Sequence, residues 1–296
     1  MQHITVLLNE VIEGLELNEG DIFLDCTING GGHSSKVARE FGSGIKIIGI
    51  DQDHNALLKA KELLESLDAD FVLKEENFRN VDKVLDELKI DTVDKVVFDL
   101  GLSSNQLEES KRGFSFQKDE PLLMTFKTDP GESDITAREI VNEWEEQNIA
   151  DIIYGYGDER FALRIARAIV EQRKIEPIET TFHLVRIIES AVPGFYRNGR
   201  INCATKTFQA LRIAVNGETE SLKEGLRKVF ERLSKGGRIA VIAFHSLEDR
   251  IVKNYFRELK DNGEATIITK KPIVPSEEEL RNNPRSRSAK LRIIQK

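Results

Sequence analysis

Along the chain, short apolar runs rich in Ile, Val and Phe alternate with longer segments whose apolar residues recur at helical spacing. Asp21–Asp25, Lys46–Asp51, Lys95–Asp99 and Arg238–Phe244 read as strands buried on both faces, because a half-exposed strand would alternate apolar with polar. Helical patterns separate the first three, roughly Ser34 to Phe41, His54 to Leu67 and Val81 to Leu88. Strand-helix-strand alternation predicts an α/β fold with a parallel sheet and right-handed crossovers. Each of the first three strands ends on a carboxylate. In an open parallel sheet the ligand lies beyond the carboxyl ends of the strands, so Asp25, Asp51 and Asp99 are expected to share one cleft.

The alternation stops near Leu107 and resumes only after two helical patterns, Ala204 to Val215 and Ser221 to Leu233. Between them the pattern is helical: a capping box at Thr136–Glu139 opens a helix carrying Ile140, Val141 and Trp144. Asp158 to Gln172 places Phe161, Ile165, Ala168 and Ile169 on one face, and Phe182 to Val192 forms a further helix closed by Pro193 and Gly194. Arg112 to Glu132, with two glycines and two prolines, reads as a loop. The predicted organisation is a discontinuous sheet domain, residues 1–106 and 206–296, with a helical domain inserted at 107–205.

Of the 296 residues, 40% are hydrophobic and 32% charged, which excludes a disordered or collagen-like chain. Cys26 and Cys203 cannot build a disulfide framework, and neither has a partner at zinc-like spacing, so no metal site is expected and a reducing cytoplasm is. No apolar run approaches the ~20 residues of a membrane span, and Glu10 and Glu13 argue against a signal peptide. The net charge of −8 means that any binding of nucleic acid needs a local basic patch. Residues 281–296 supply one candidate, with Arg281, Arg285, Arg287, Lys290, Arg292 and Lys296 and no acid. Arg160, Arg164 and Arg167 supply a second, the first two at i and i+4 on one helix face.

Candidate chemistry starts in the loop Asp25–Ser34, where Gly30, Gly31 and Gly32 stand between a strand and a helix. Such a loop lets backbone approach a ligand at a helix N-terminus. A dinucleotide fingerprint would need a glycine where Ser35 stands, so a pyrophosphate cradle is disfavoured. An amino-acid moiety fits better, its ammonium paired with the acid before the glycines. Asp51 can accept both hydroxyls of a ribose, with a helix N-cap as an equal alternative. Phe78 falls near a further strand end and could cover an adenine face, with core packing as the alternative. Asp99 would be a third strand-end carboxylate in one cleft, costly through like-charge repulsion unless a ligand or donors offset it. Together these features point to a nucleoside-bearing cofactor, S-adenosyl-L-methionine rather than NAD.

The motifs resemble those of the bacterial small-subunit ribosomal RNA methyltransferase H family (the MraW family), which methylates N4 of a cytidine in the decoding centre. They are His3–Glu10, Gly31–Ser34, Ile50–Asp51, Leu100–Ser104, Arg112–Phe116, Tyr156–Phe161, Ala204–Ile213, Ala243–Arg250 and Asn283–Arg292, in the family's order along nearly the whole chain. The resemblance implies a Rossmann-like class I methyltransferase sheet, a substrate-recognition role for the inserted domain, and 16S ribosomal RNA of the small subunit as partner. It leaves open whether the chain acts as a homodimer. For cofactor binding it implies Gly31, Gly32, His33, Asp51, Phe78, Asp99 and Gln106, the last on the resemblance alone. The sequence departs from the family at Cys26, where a glycine is usual, and at Ile28–Asn29, where Phe-Gly is usual. It departs again at Leu123–Lys127, which replaces an Asp-Met-Arg-Met run, and at Asn202–Cys203, which replaces His-Pro.

Methylating an exocyclic cytosine amine requires alignment of the nitrogen and stabilisation of the positive charge growing on it. Asp99 is the best-placed catalytic candidate, as an acceptor for the amine N–H. The amino-methyltransferase motif Asp/Ser/Asn-Pro-Pro-Tyr/Phe is absent; Asp99-Leu-Gly-Leu102 occupies its place, which disfavours a DNA amino-methyltransferase. His245 and Ser246 could face the base, although a cap at Ser246–Asp249 is the stronger reading. A non-catalytic ribosome-assembly factor that only binds RNA remains an alternative, separated from the enzyme by cofactor binding.

Overall fold

The structure is a computed structural model and describes residues 4–102, 106–107, 110–128, 130–131 and 134–296. His3, Ser103 and Ser104 of the motifs above lie outside the described residues. The chain forms two compact units, Met1–Gly101 with Thr219–Lys296, and Leu102–Glu218.

The first unit is built on a seven-stranded sheet of order β3-β2-β1-β4-β5-β7-β6. Its strands are β1 (Ile22–Asp25), β2 (Lys46–Asp51), β3 (Asp70–Glu75), β4 (Val93–Asp99), β5 (Leu233–Ala243), β6 (Thr266–Ile267) and β7 (Lys290–Gln295). The first five run parallel, and β7 is antiparallel to both β5 and β6. The period-2 rule explains why β1, β2, β4 and β5 read as continuous apolar runs. Phe23, Ile47, Val97, Ala240 and Ile242 enter one core. Their neighbours Leu24, Ile48, Val96, Phe98, Ile239 and Val241 enter the other. Helices α1 (Leu8–Leu15), α2 (Gly32–Phe41) and α3 (His54–Glu65) cover the first face. Helices α4 (Val81–Glu87), Glu218–Glu231 and Ser246–Asp261 cover the second. This is the expected Rossmann-like α/β sheet, with helices on both faces.

β3 is an edge strand with no fully buried residue, so it lacks the apolar run that marks the others. β7 corrects the reading of residues 281–296 as one basic patch for nucleic acid. Leu291 and Ile293 are buried in the core, while Nε of Arg292 lies 2.7 Å and Nζ of Lys290 3.2 Å from the Asp249 carboxylate. Nζ of Lys296 donates to the carbonyls of Phe230, Glu231 and Leu233, where the helix Glu218–Glu231 ends. Half of the six bases therefore hold the sheet domain together.

The second unit is helical, and no strand occurs among its described residues; Pro121 and Thr180 form an isolated bridge. Its core includes Ile140, Ile149, Ile153, Ile165, Ile169, Leu184 and Ile188. Thr136 caps its helix as the sequence predicts, accepting from the Glu139 N–H at 3.2 Å. The second boundary falls at Glu218, not at 205: the helix Thr205–Asn216 buries Phe208 and Leu211 in this same core and therefore belongs with the inserted helices. Asn216 on that helix holds the Leu123–Lys127 segment, donating to the Met124 carbonyl at 2.8 Å and accepting from the Phe126 N–H at 2.8 Å.

Candidate active site

Three parallel strands deliver three carboxylates to the same edge of the sheet. Asp25, Asp51 and Asp99 are the last residues of β1, β2 and β4, and β1 lies between the other two. Asp25 is buried; its Oδ2 accepts from the Ser34 hydroxyl at 2.7 Å. Burial pushes its pKa up to about 7, and the charge of Asp51 adds to that. Asp51 accepts from the backbone N–H groups of Asn29 at 2.8 Å and Asp53 at 2.9 Å, one on each oxygen, and burial pushes it up to about 6. It is not the cap of α3. That role falls to Asp53, which accepts from the Asn55 N–H.

Asp99 keeps 14% of its side-chain surface exposed, and its Oδ2 lies 4.0 Å from Nδ1 of His33. Burial first, then the negative charge of Asp25, pushes its pKa up to about 7. Its Oδ1 is buried and has no hydrogen-bond partner among the described residues. A buried acceptor without a donor is costly. In a cleft with two other acids, it suits a cationic or N–H-bearing ligand.

The glycines serve packing as much as ligand approach. Gly31 has φ +80°, a region that L side chains rarely adopt, and a Cβ on Gly32 would lie 2.1 Å from Oγ1 of Thr5. They set α2 against Thr5 and α3, with His33 and Ser34 in its first turn. Phe78 follows β3; its ring meets Phe98 edge-on at 5.4 Å, and a Cβ on Gly225 would lie 2.6 Å from it. One side of Phe78 is thus committed to the core while the residue remains partly exposed. Gln106 is buried and belongs to the second unit.

The cap after β5 lies one residue earlier than the sequence suggests. His245 is the N-cap of the helix Ser246–Asp261, accepting on Nδ1 from the Glu248 N–H, while Glu248 accepts from the N–H groups of Phe244 and His245. Serine is the stronger cap by type. Here the carboxylate three residues beyond His245 closes both backbone donors and fixes the register. Glu248 also faces Asp99 closely enough to raise its pKa, a neighbour that local sequence patterns do not reveal.

These residues fit S-adenosylmethionine. Each Asp51 oxygen has accepting capacity left for a ribose hydroxyl. The three carboxylates, which disfavour one another's ionisation, match a cofactor with a sulfonium and an ammonium group.

A family model described as the MraW methylase family matches residues 1–296. The chain is 46% identical to a ribosomal RNA small subunit methyltransferase H of a Sulfurihydrogenibium species, over 99% of this chain and 98% of that protein. It is 45% identical to the protein of the same name from Clostridium botulinum, over 100% and 99%. Among solved structures, an rRNA methylase from Streptococcus thermophilus aligns with a TM-score of 0.44 at 13% identity, covering 98% of this chain and 92% of that one.

Proposed function

The chain belongs to the MraW methylase family, and from that premise we propose that it methylates N4 of a cytidine in the decoding region of 16S ribosomal RNA, within the small subunit. It is an S-adenosylmethionine-dependent methyltransferase on a class I sheet. The observation that carries the reading is the meeting of Asp25, Asp51 and Asp99 at adjacent strand ends, with Oδ1 of Asp99 lacking a partner among the described residues.

S-adenosylmethionine supplies an electrophilic methyl group when bound. Asp51 would hold its ribose, Gly31, Gly32 and His33 would line its amino-acid end, and Phe78 would cover its adenine. Gln106 enters on the family resemblance alone. Asp99 would accept a hydrogen bond from the N4 amine and align its nitrogen with the methyl carbon. An ionised Asp99 would stabilise the positive charge that grows on N4 as the amine is methylated. The helical unit would recognise the RNA. With two buried free cysteines and no described helix long and apolar enough to cross a membrane, the enzyme would act in the cytoplasm.

The test is methyl transfer from labelled cofactor to small subunits that lack the modification, followed by mass spectrometry of the RNA. One methyl group on N4 of a cytidine is expected. Label on another base, or on protein, would replace the reading, and no transfer with intact cofactor binding would favour an assembly factor.

A further inference from the structure

In the helical unit, the guanidinium of Arg160 lies among three aromatic rings. Its Cζ is 4.8 Å from the ring centre of Phe161, 4.9 Å from that of Tyr196 and 5.6 Å from that of Phe195. Arg164, one turn on, has its Cζ 5.8 Å from Phe161. The support beneath is fixed. The Tyr196 hydroxyl donates to Glu159, which is fully buried and accepts the Phe161 N–H at 2.8 Å on its other oxygen. The rings of Phe161 and Tyr196 meet at 4.9 Å. Phe195 and Tyr196 share the single turn Gly194–Arg197, where successive side chains diverge. Tyr196 takes the inward place, and Phe195 is left 71% exposed.

The segment that carries Phe195 and Tyr196 is basic between Glu189 and Glu218. Residues 190–217 contain Arg197, Arg200, Lys206 and Arg212 and no acid, in a chain whose net charge is −8. Arg212 is committed to Glu218. Nζ of Lys206 donates to the backbone carbonyl of Asp158 at 2.6 Å, which leaves the exposed Asp158 carboxylate as an acid at the cluster's edge. A single exposed phenylalanine is ordinary on a protein surface. One held against a guanidinium, on a rigid base and in an acid-free stretch, is a flat cationic surface. Unpaired RNA offers the matching chemistry, a π face beside a phosphate, and such bases stack on aromatic rings and on guanidinium planes.

We propose that Arg160 and Phe195 form a stacking platform for an unpaired base of the RNA substrate, with Arg197 and Arg200 facing its phosphates. This rests on the reading of the chain as an enzyme acting on ribosomal RNA. It assigns Arg160 to stacking, where the sequence pattern suggested only a phosphate contact.

The experiment uses the whole protein and two readouts. In methyl transfer to unmodified small subunits, Phe195→Ala and Arg160→Ala should raise KM for the subunit about 10-fold or more, with kcat and cofactor affinity near wild type. In fluorescence anisotropy with a decoding-region RNA fragment, the same variants should bind more weakly by a similar factor. Phe195→Trp should retain both properties, whereas Phe195→Leu, apolar without a π face, should behave like alanine. Unchanged KM and RNA affinity in Phe195→Ala would overturn the platform, as would a Phe195→Leu variant equal to wild type, which would mark a contact with a protein of the subunit. If wild type transfers no methyl group, the enzymatic reading fails, and the anisotropy series still decides the platform.

Discussion

At the residue scale, the raised pKa values of Asp25, Asp51 and Asp99 give the cleft a pH dependence of definite sign. An unfolded aspartate titrates near 3.8, and these rise to about 7, 6 and 7 in the folded protein, chiefly through burial. Between those limits these three groups bind more protons in the folded chain than in the unfolded one, so their contribution to the stability of the free enzyme falls as pH rises from about 4 through 7. A cationic cofactor favours the ionised carboxylates, so its binding should expel protons. We expect affinity for S-adenosylmethionine to increase between about pH 5.5 and 8. Calorimetry in two buffers of different ionisation enthalpy should show proton release near pH 6 that fades above 8; flat affinity with no proton release would mean that these acids do not meet the cofactor's charges. Asp51→Ala should weaken cofactor binding by about 1.5 to 3 kcal/mol, the usual cost of losing a charge-assisted hydrogen bond. Asp99→Asn keeps the shape and one acceptor oxygen but loses the charge. If Asp99 acts mainly in the transition state, single-turnover methylation should slow by about 10² at saturating cofactor and RNA, with cofactor affinity changing much less.

At the element scale, what the sequence reveals depends on how each strand is buried. β1, β2, β4 and β5 bury both faces, so their apolar runs stand out in the sequence, and the acids that end β1, β2 and β4 can be placed from it. β3 lies at the edge and is only partly buried, and the pattern passes over it. β7 hides for a different reason: its first polar positions are Lys290 and Arg292, whose partner Asp249 is more than 40 residues away in sequence. Read locally, the two bases suggest part of a basic patch for nucleic acid. In three dimensions they tie a strand to the helix Ser246–Asp261. The tie is mostly desolvated, with 11% of the Arg292 side chain and 15% of the Asp249 side chain exposed. Arg292 and Lys290 hold the Asp249 carboxyl below its usual range, so its stabilising contribution is present above about pH 4 and is lost on acidification. Asp249→Ala leaves Arg292 without its partner and should cost about 2 kcal/mol in urea unfolding at neutral pH, less than the 3 to 5 kcal/mol of a fully buried pair. The difference from wild type should shrink near pH 3. A constant difference would assign the loss to packing.

At the scale of the whole molecule, the helical insertion was legible as a loss of strand signal, but its far boundary was not. The helix Thr205–Asn216 has an ordinary amphipathic pattern, and nothing local says whether Phe208 and Leu211 face a sheet or other helices. They complete the helical core, which shares no residue with the two cores of the sheet unit. Two units that share no core predict two cooperative unfolding events, and a ligand stabilises only what it binds. S-adenosylmethionine at about 100 times its Kd adds roughly 2.7 kcal/mol to the folded state it occupies. For a unit the size of the sheet domain that is a rise of roughly 5 to 10 °C. Scanning calorimetry should therefore resolve two transitions, with the cofactor moving the one that belongs to the unit carrying Asp51. Asp51→Ala should largely remove that movement. A single transition that moves as a whole would show instead that the helical core does not melt independently of the sheet.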